Sequence, residues 1–151
     1  MKHRLTLGII VCTAILLIGC GRNSRTIKSE DELKKILTEA FMEGDIDTLG
    51  SLHHPSIDPK LKEDLLAVIE PVFLIKPTTV VSSVVMLSEA PMDLPGELKG
   101  QKLKYTTDIA GVIFLDGQYG ENGADKVGLY FPFSQSSAGY TLAGFGYESE
   151  D

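Results

Sequence analysis

Few residues in this chain could do chemistry, and their spacing excludes most of what they could do. The histidines are His3, His53 and His54. Neighbouring side chains on a helix point about 100° apart, so His53 and His54 cannot easily close on one metal ion. Zinc sites favour histidines three to five residues apart. Asp58 stands immediately before Pro59, where capping of a helix is a sufficient role for its carboxylate. The loop at residues 116–125 offers oxygen ligands and glycines, but its acids do not follow the spacing of a calcium-binding loop. Asp108 falls on the polar face of its segment. No Ser-His-acid order, glycine-rich phosphate loop or nucleophile elbow occurs. The residues thus predict no catalytic group, no metal and no cofactor. Tyr105 falls on an apolar face, where it either points its hydroxyl into a pocket mouth or fills the core with its tip wet; Phe41, Tyr105 and Phe131 are the candidates to line a small pocket. The cysteines are Cys12 and Cys20, and Cys20 ends the first apolar run.

That run has the grammar of an export signal. Lys2, His3 and Arg4 precede residues 5–18, which are almost wholly apolar. A basic start, a short apolar stretch and small residues at the end describe a secretory leader. The stretch is shorter than the roughly 20 residues a membrane span needs. The tetrapeptide Leu17-Ile18-Gly19-Cys20 resembles the lipobox of bacterial lipoproteins. The resemblance implies cleavage between Gly19 and Cys20 and acylation of Cys20. It also implies a cell-envelope address, held to a membrane by lipid. Gly21 in place of an aspartate points to the outer membrane, facing the periplasm, if the source has two membranes. An ordinary secretory signal, or an uncleaved anchor, is the alternative.

On this reading residues 1–19 are the leader, 20–28 a lipid-anchored tether and 29–151 a single domain of ordinary size. Loss of the leader removes Lys2 and Arg4, leaving 12 basic residues against 21 acidic ones. Such a charge repels phosphate backbones and argues against nucleic acid as a partner. It also argues against adhesion to an anionic bilayer except through the acyl chains. No cysteine follows Cys20, so the domain must be held by its core alone.

The elements that would position any site follow from local patterns. Ser29 and Glu32 form a capping box, and Leu33, Ile36, Leu37, Ala40 and Phe41 then recur at helical spacing, stopped by Gly44. Asp45 caps a short second helix ending near Pro55. Asp58 and Pro59 open a third, with a buried stripe of Leu61, Leu65, Val68, Ile69 and Val72 and a limit at Pro71. From residue 78 the period changes to that of strands, expected at 78–87, 103–115, 127–133 and 140–147. Residues 90–100 form a loop. Asp116-Gly117 and Asn122-Gly123 are hairpin signals. Pro132 implies an edge or a bulge. Three helices followed by a four-stranded meander indicate an α+β fold.

Residues 39–55, Glu-Ala-Phe-Met-Glu-Gly-Asp-Ile-Asp-Thr-Leu-Gly-Ser-Leu-His-His-Pro, resemble the opening of domains similar to nuclear transport factor 2. That superfamily includes ketosteroid isomerases and SnoaL-type polyketide cyclases. Residues 139–145, Gly-Tyr-Thr-Leu-Ala-Gly-Phe, resemble its closing strand. The resemblance implies a cystatin-like cone, a curved antiparallel sheet wrapped round a helix, with a mouth for a small ligand. It also implies a homodimer through the outer sheet face. In the region where its enzymes carry a base, this chain has only Asp58. The leading expectation is a lipid-anchored, non-catalytic module binding a small apolar ligand or another envelope protein. An isomerase, cyclase or dehydratase is the second reading, and a structural spacer the third.

Overall fold

The computed structural model describes residues 26–148. Gly19 and Cys20, and with them the expected leader and the expected acylation site, lie outside the described residues. Three helices come first: α1 Glu30–Glu43, α2 Ile46–Ser51 and α3 Pro59–Ile75. Seven strands follow: β1 Thr79–Met86, β2 Glu97–Leu98, β3 Gln101–Tyr105, β4 Gly111–Tyr119, β5 Asp125–Ser136, β6 Gly139–Leu142 and β7 Phe145–Tyr147.

The helix ends are built as their residues dictate. Ser29 Oγ accepts from the Glu32 amide at 3.1 Å, while the Glu32 carboxylate accepts from the Lys28 amide, one residue beyond the usual capping-box partner. Gly44 takes φ +71°, and the Gly44 and Asp45 amides donate to the Phe41 and Ala40 carbonyls. This left-handed stop satisfies the last turn of α1. Asp45 and Asp58 cap α2 and α3 through the amides of Thr48 and Leu61, each at 2.9 Å. The third helix departs from its expected outline in two ways. It passes through Pro71 and ends at Ile75. Its fully buried members are Leu61 and Phe73, whereas Val68, expected inside, faces solvent.

The strands form two open antiparallel sheets, not one curved sheet. One has the order β1-β4-β5-β6 and the other β2-β3-β7. The cystatin-like cone, and with it the likeness to nuclear transport factor 2 domains, is therefore incorrect. Two of the four expected strands are each cut in two. Residues 103–115 divide into β3 and β4 at 106–110, and residues 140–147 divide into β6 and β7 at Ala143 and Gly144. The two breaks are stitched to each other. The Thr106 amide donates to the Gly144 carbonyl at 2.9 Å. Thr107 Oγ1 accepts from the Gly144 amide at 3.0 Å and from Ser134 Oγ at 2.7 Å. Hydroxyls that bond backbone locally compete with the regular ladder, and here they replace it. The severed ends, β3 and β7, pair with one another, Leu103 opposite Tyr147 and Tyr105 opposite Phe145.

A side chain at position 144 has nowhere to go. A Cβ there would meet Ser56 Oγ, would lie 2.7 Å from Thr106 Oγ1, and would press on Thr107 Cγ2. Gly144→Ala should therefore cost about 1–3 kcal/mol through overpacking, read as a lowered urea midpoint at unchanged slope. A midpoint equal to that of the wild type would show that the junction is loose.

Helices cover the inner face of the four-stranded sheet. Leu33, Leu37 and Phe41 of α1, with Leu49 and Phe73, meet Ile113, Leu115, Phe131 and Phe133 in the larger core. The register sets Ile113 opposite Phe131 and Leu115 opposite Leu129, so the inward residues of β4 and β5 form one apolar face. Asp116-Gly117, a hairpin signal in the sequence, lies inside β4, where Gly117 leaves room for the Phe41 ring. The turn itself falls at Gly120 and Gly123, both at positive φ. A smaller core of Ile57, Leu61, Ala143 and Phe145 joins the first half of α3 to the second sheet.

Candidate functional site

The divergence of the two sheets leaves a cleft. On one wall, β6 pairs only with Phe133–Ser136 of β5, so the preceding stretch of β5 has no strand beside it on that side among the described residues. Tyr130, Phe131 and Pro132 face the cleft from there. Pro132 sits where β6 turns away, and its carbonyl accepts from the Ala143 amide at 2.9 Å. A residue without an N–H is tolerated at a place where pairing stops. The opposite wall is Leu98, Leu103 and Tyr105 of the small sheet, with Pro95. Leu65 and Ile69 of α3, with His53, Leu142 and Phe145, and the exposed Glu97 of β2 at the rim, complete the lining. An ion pair helps hold the small sheet in place: Asp64 on α3 accepts from Lys99 Nζ at 2.7 Å and from Tyr147 Oη at 2.8 Å. These bonds, Lys99 first, lower the Asp64 carboxyl below its ordinary range.

The enclosed volume is about 90 Å³. Sites for drug-sized ligands run from about 300 to 1,000 Å³. The cleft thus suits one aliphatic or aromatic group rather than a whole polycyclic molecule.

Two ionisable side chains in the lining are held uncharged. His53 is buried, its Nδ1–H directed at the Leu49 carbonyl at 3.2 Å and its ring edge-on to Phe145. Burial, and then the nearby charge of Lys62, depress it to about 4. Tyr105 donates its hydroxyl to the Pro95 carbonyl at 3.0 Å and packs edge-on to Phe145 with centroids 5.6 Å apart. Burial raises it to about 12. At neutral pH a neutral imidazole and a committed phenol line an apolar space, which favours binding over proton transfer.

Of the three pocket candidates, Tyr105 and Phe131 come together in the cleft and Phe41 does not. The Phe41 ring is fully buried in the larger core, 5.1 Å from the ring of Phe73. Sequence reasoning missed His53 and Phe145 as lining residues. The signal available for both was weak: a His after a short helix and an aromatic three residues past Leu142.

Other chemistry-bearing residues sit elsewhere. Asp58 is occupied as a cap, and Asp108 is exposed. His54 Nδ1 accepts from the Ser56 amide at 3.1 Å and lies 2.7 Å from Ser56 Oγ. That contact has the distance of a nucleophile and base. However, the ring nitrogen already accepts a backbone N–H, and Ser56 Oγ is 2.8 Å from Thr106 Oγ1. The arrangement closes a turn. Among the described residues no three His, Cys, Asp or Glu side chains gather to hold a metal ion. A second depression, about 370 Å³ and open, lies between α2 and α3 with Asp47, Lys62, Glu63 and Glu70 around it. Its mixed charges and wide mouth enclose an apolar group less than the cleft does. No helix among the described residues is long and apolar enough to cross a membrane. Compared with models of protein families and with curated proteins, the chain matches none.

Proposed function

We propose that this protein is a lipid-anchored component of the bacterial cell envelope, in the outer membrane facing the periplasm where the source has two membranes. Its domain acts as a non-catalytic binding module. The leader and Leu17-Ile18-Gly19-Cys20 support the anchor. The observation that carries the binding reading is the apolar cleft between the sheets, walled by Tyr105, Phe131 and Phe145 and by an uncharged His53. A space of this size takes a single apolar group, such as a side chain of another envelope protein or the end of a small apolar ligand. An enzyme working there would need a buried acid or base able to change protonation near neutral pH; burial holds His53 and Tyr105 far from that range, and Glu97 stands exposed at the rim.

Metabolic labelling with palmitate tests the anchor. The wild type should take up label and Cys20→Ser should take up none; label on the variant refutes acylation at that thiol. A photo-crosslinking amino acid tests the cleft when introduced in place of Tyr130, which is 51 % exposed at the mouth. In cells it should capture one discrete species. The same group in place of Val81, on the edge strand β1, should not. Equal capture at both positions would remove the cleft from consideration.

A further inference from the structure

Helix α3 is apolar on more sides than its packing uses. Leu61 and Phe73 are buried, and Leu65, Ile69 and Val72 are half-buried. Yet Ala67, Val68, Pro71, Leu74 and Ile75 are exposed, with Val68 at 49 %, Leu74 at 63 % and Ile75 at 67 %. These positions recur at three-, four- and seven-residue intervals, so they share one side of the helix. The outer face of a surface helix is ordinarily polar. Glu70 is the only charged residue from 67 to 75, and it borders the α2 side.

The stripe lies close to where the chain is tied. Five residues, 21–25, separate Cys20 from the first described residue, so the two lie at most about 20 Å apart. The carbonyl of Ile27 accepts from the Tyr140 amide at 2.9 Å, so the chain is fastened to the domain just ahead of α1. The 14 residues of α1 span about 21 Å. At the far end of α1, Gly44 packs against the Phe73 carbonyl and the Lys76 side chain, at the end of α3. One helix length therefore separates the attachment point from Leu74 and Ile75. A domain held this close meets the bilayer at high effective concentration, and a small apolar surface is enough to orient it.

The composition of the stripe favours lipid over protein. It is aliphatic, with none of the Tyr, Trp or Arg that anchor protein interfaces. Nor does the stripe carry a basic cluster for anionic headgroups. We propose that the aliphatic stripe of α3 rests in the boundary between headgroups and acyl chains of the membrane to which Cys20 ties the protein. This rests on the lipoprotein reading above. Leu65 and Ile69, which line the cleft, lie on another side of α3, so lipid under the stripe leaves them uncovered. Lipid sets the orientation, and the binding site stays free.

The chain contains no tryptophan, so a single indole reports its own position. Full-length Ile75→Trp and Tyr130→Trp proteins, purified with their acyl groups, would be placed in phosphatidylcholine vesicles with or without brominated acyl chains. Leu74→Trp serves as a second stripe probe should Ile75→Trp fold poorly. The stripe indole should be quenched about twofold or more by bromine and remain so in high salt, while the Tyr130→Trp indole should be little affected. Equal quenching at both sites, or none at the stripe, overturns the orientation. A blue-shifted stripe indole without bromine quenching would assign the stripe to a protein partner and also overturn it. Mass spectrometry of the Cys20 peptide separates the two failures. An acylated protein with an unquenched stripe sinks the orientation alone, whereas an unmodified Cys20 sinks the anchor and the orientation together.

Discussion

Phe41→Ala is expected to lower the free energy of unfolding by about 3–5 kcal/mol, the range for truncating a fully buried aromatic ring. The ring is fully buried, packs at a tilt against Phe73 and lies where a Cβ on Gly117 would approach within 2.9 Å. Its neighbours belong to α1, α3 and the middle of β4, so no single element can move to fill the void. Urea denaturation followed by circular dichroism would read the loss. A wall of an open cleft behaves otherwise, because water or a ligand can occupy the space that truncation leaves. Tyr130→Ala, at the exposed mouth, should change stability by less than about 0.5 kcal/mol. A loss below about 1.5 kcal/mol for Phe41→Ala would return that residue to the list of pocket walls.

Acid should weaken the domain through His53. The imidazole is lowered from 6.5 to about 4 in the folded protein. Below pH 6.5 the unfolded chain binds a proton that the folded protein refuses, so stability falls as the pH drops from 6.5 towards 4 and this contribution levels off below that. The shift corresponds to about 3 kcal/mol over the window. His53→Gln keeps an N–H donor for the Leu49 carbonyl but cannot titrate. It should lose less stability than the wild type between pH 7 and pH 4, by about the same 3 kcal/mol. Comparing the two proteins at each pH cancels the carboxylates, which titrate alike in both. Parallel pH profiles would mean that His53 is solvated in the folded state. The cleft should loosen with the same transition, since a charged imidazole beside Phe145 must find water.

The same residues show how far the chain could be read before its fold. The helix ends were legible because capping is local: Ser29, Asp45 and Asp58 each bond an amide three residues on. Strand β1 was legible from its β-branched run, and α1 from the spacing of Leu33, Leu37, Ala40 and Phe41. The end of α3 was not. Pro71 removes a helical hydrogen bond and normally limits a helix, but Phe73 gains complete burial beyond it, and packing prevailed. Val68 and Phe73 satisfy the same apolar pattern. Which of them goes inside depends on the sheet beneath.

Tyr105 and Phe131 could be flagged as pocket candidates because each lies on the apolar side of a strand. Phe41 lies on the apolar face of a helix and belongs to the core. Alternation identifies an apolar face, but not whether that face closes on other side chains or borders a cleft. The chain by itself determined the basic start and apolar run that end at Cys20, the acidic balance, the α+β order and the helix caps, all of which rest on composition or on contacts within a few residues. The tertiary structure alone decided that two long β segments break, that their ends form a second sheet and that a cleft opens between the sheets. Those outcomes depend on hydroxyl and amide pairs 27 to 50 residues apart, Thr107 with Ser134 and Gly144 and Ser56 with Thr106. No local pattern records them, since each half of a broken strand alternates as well as an unbroken one.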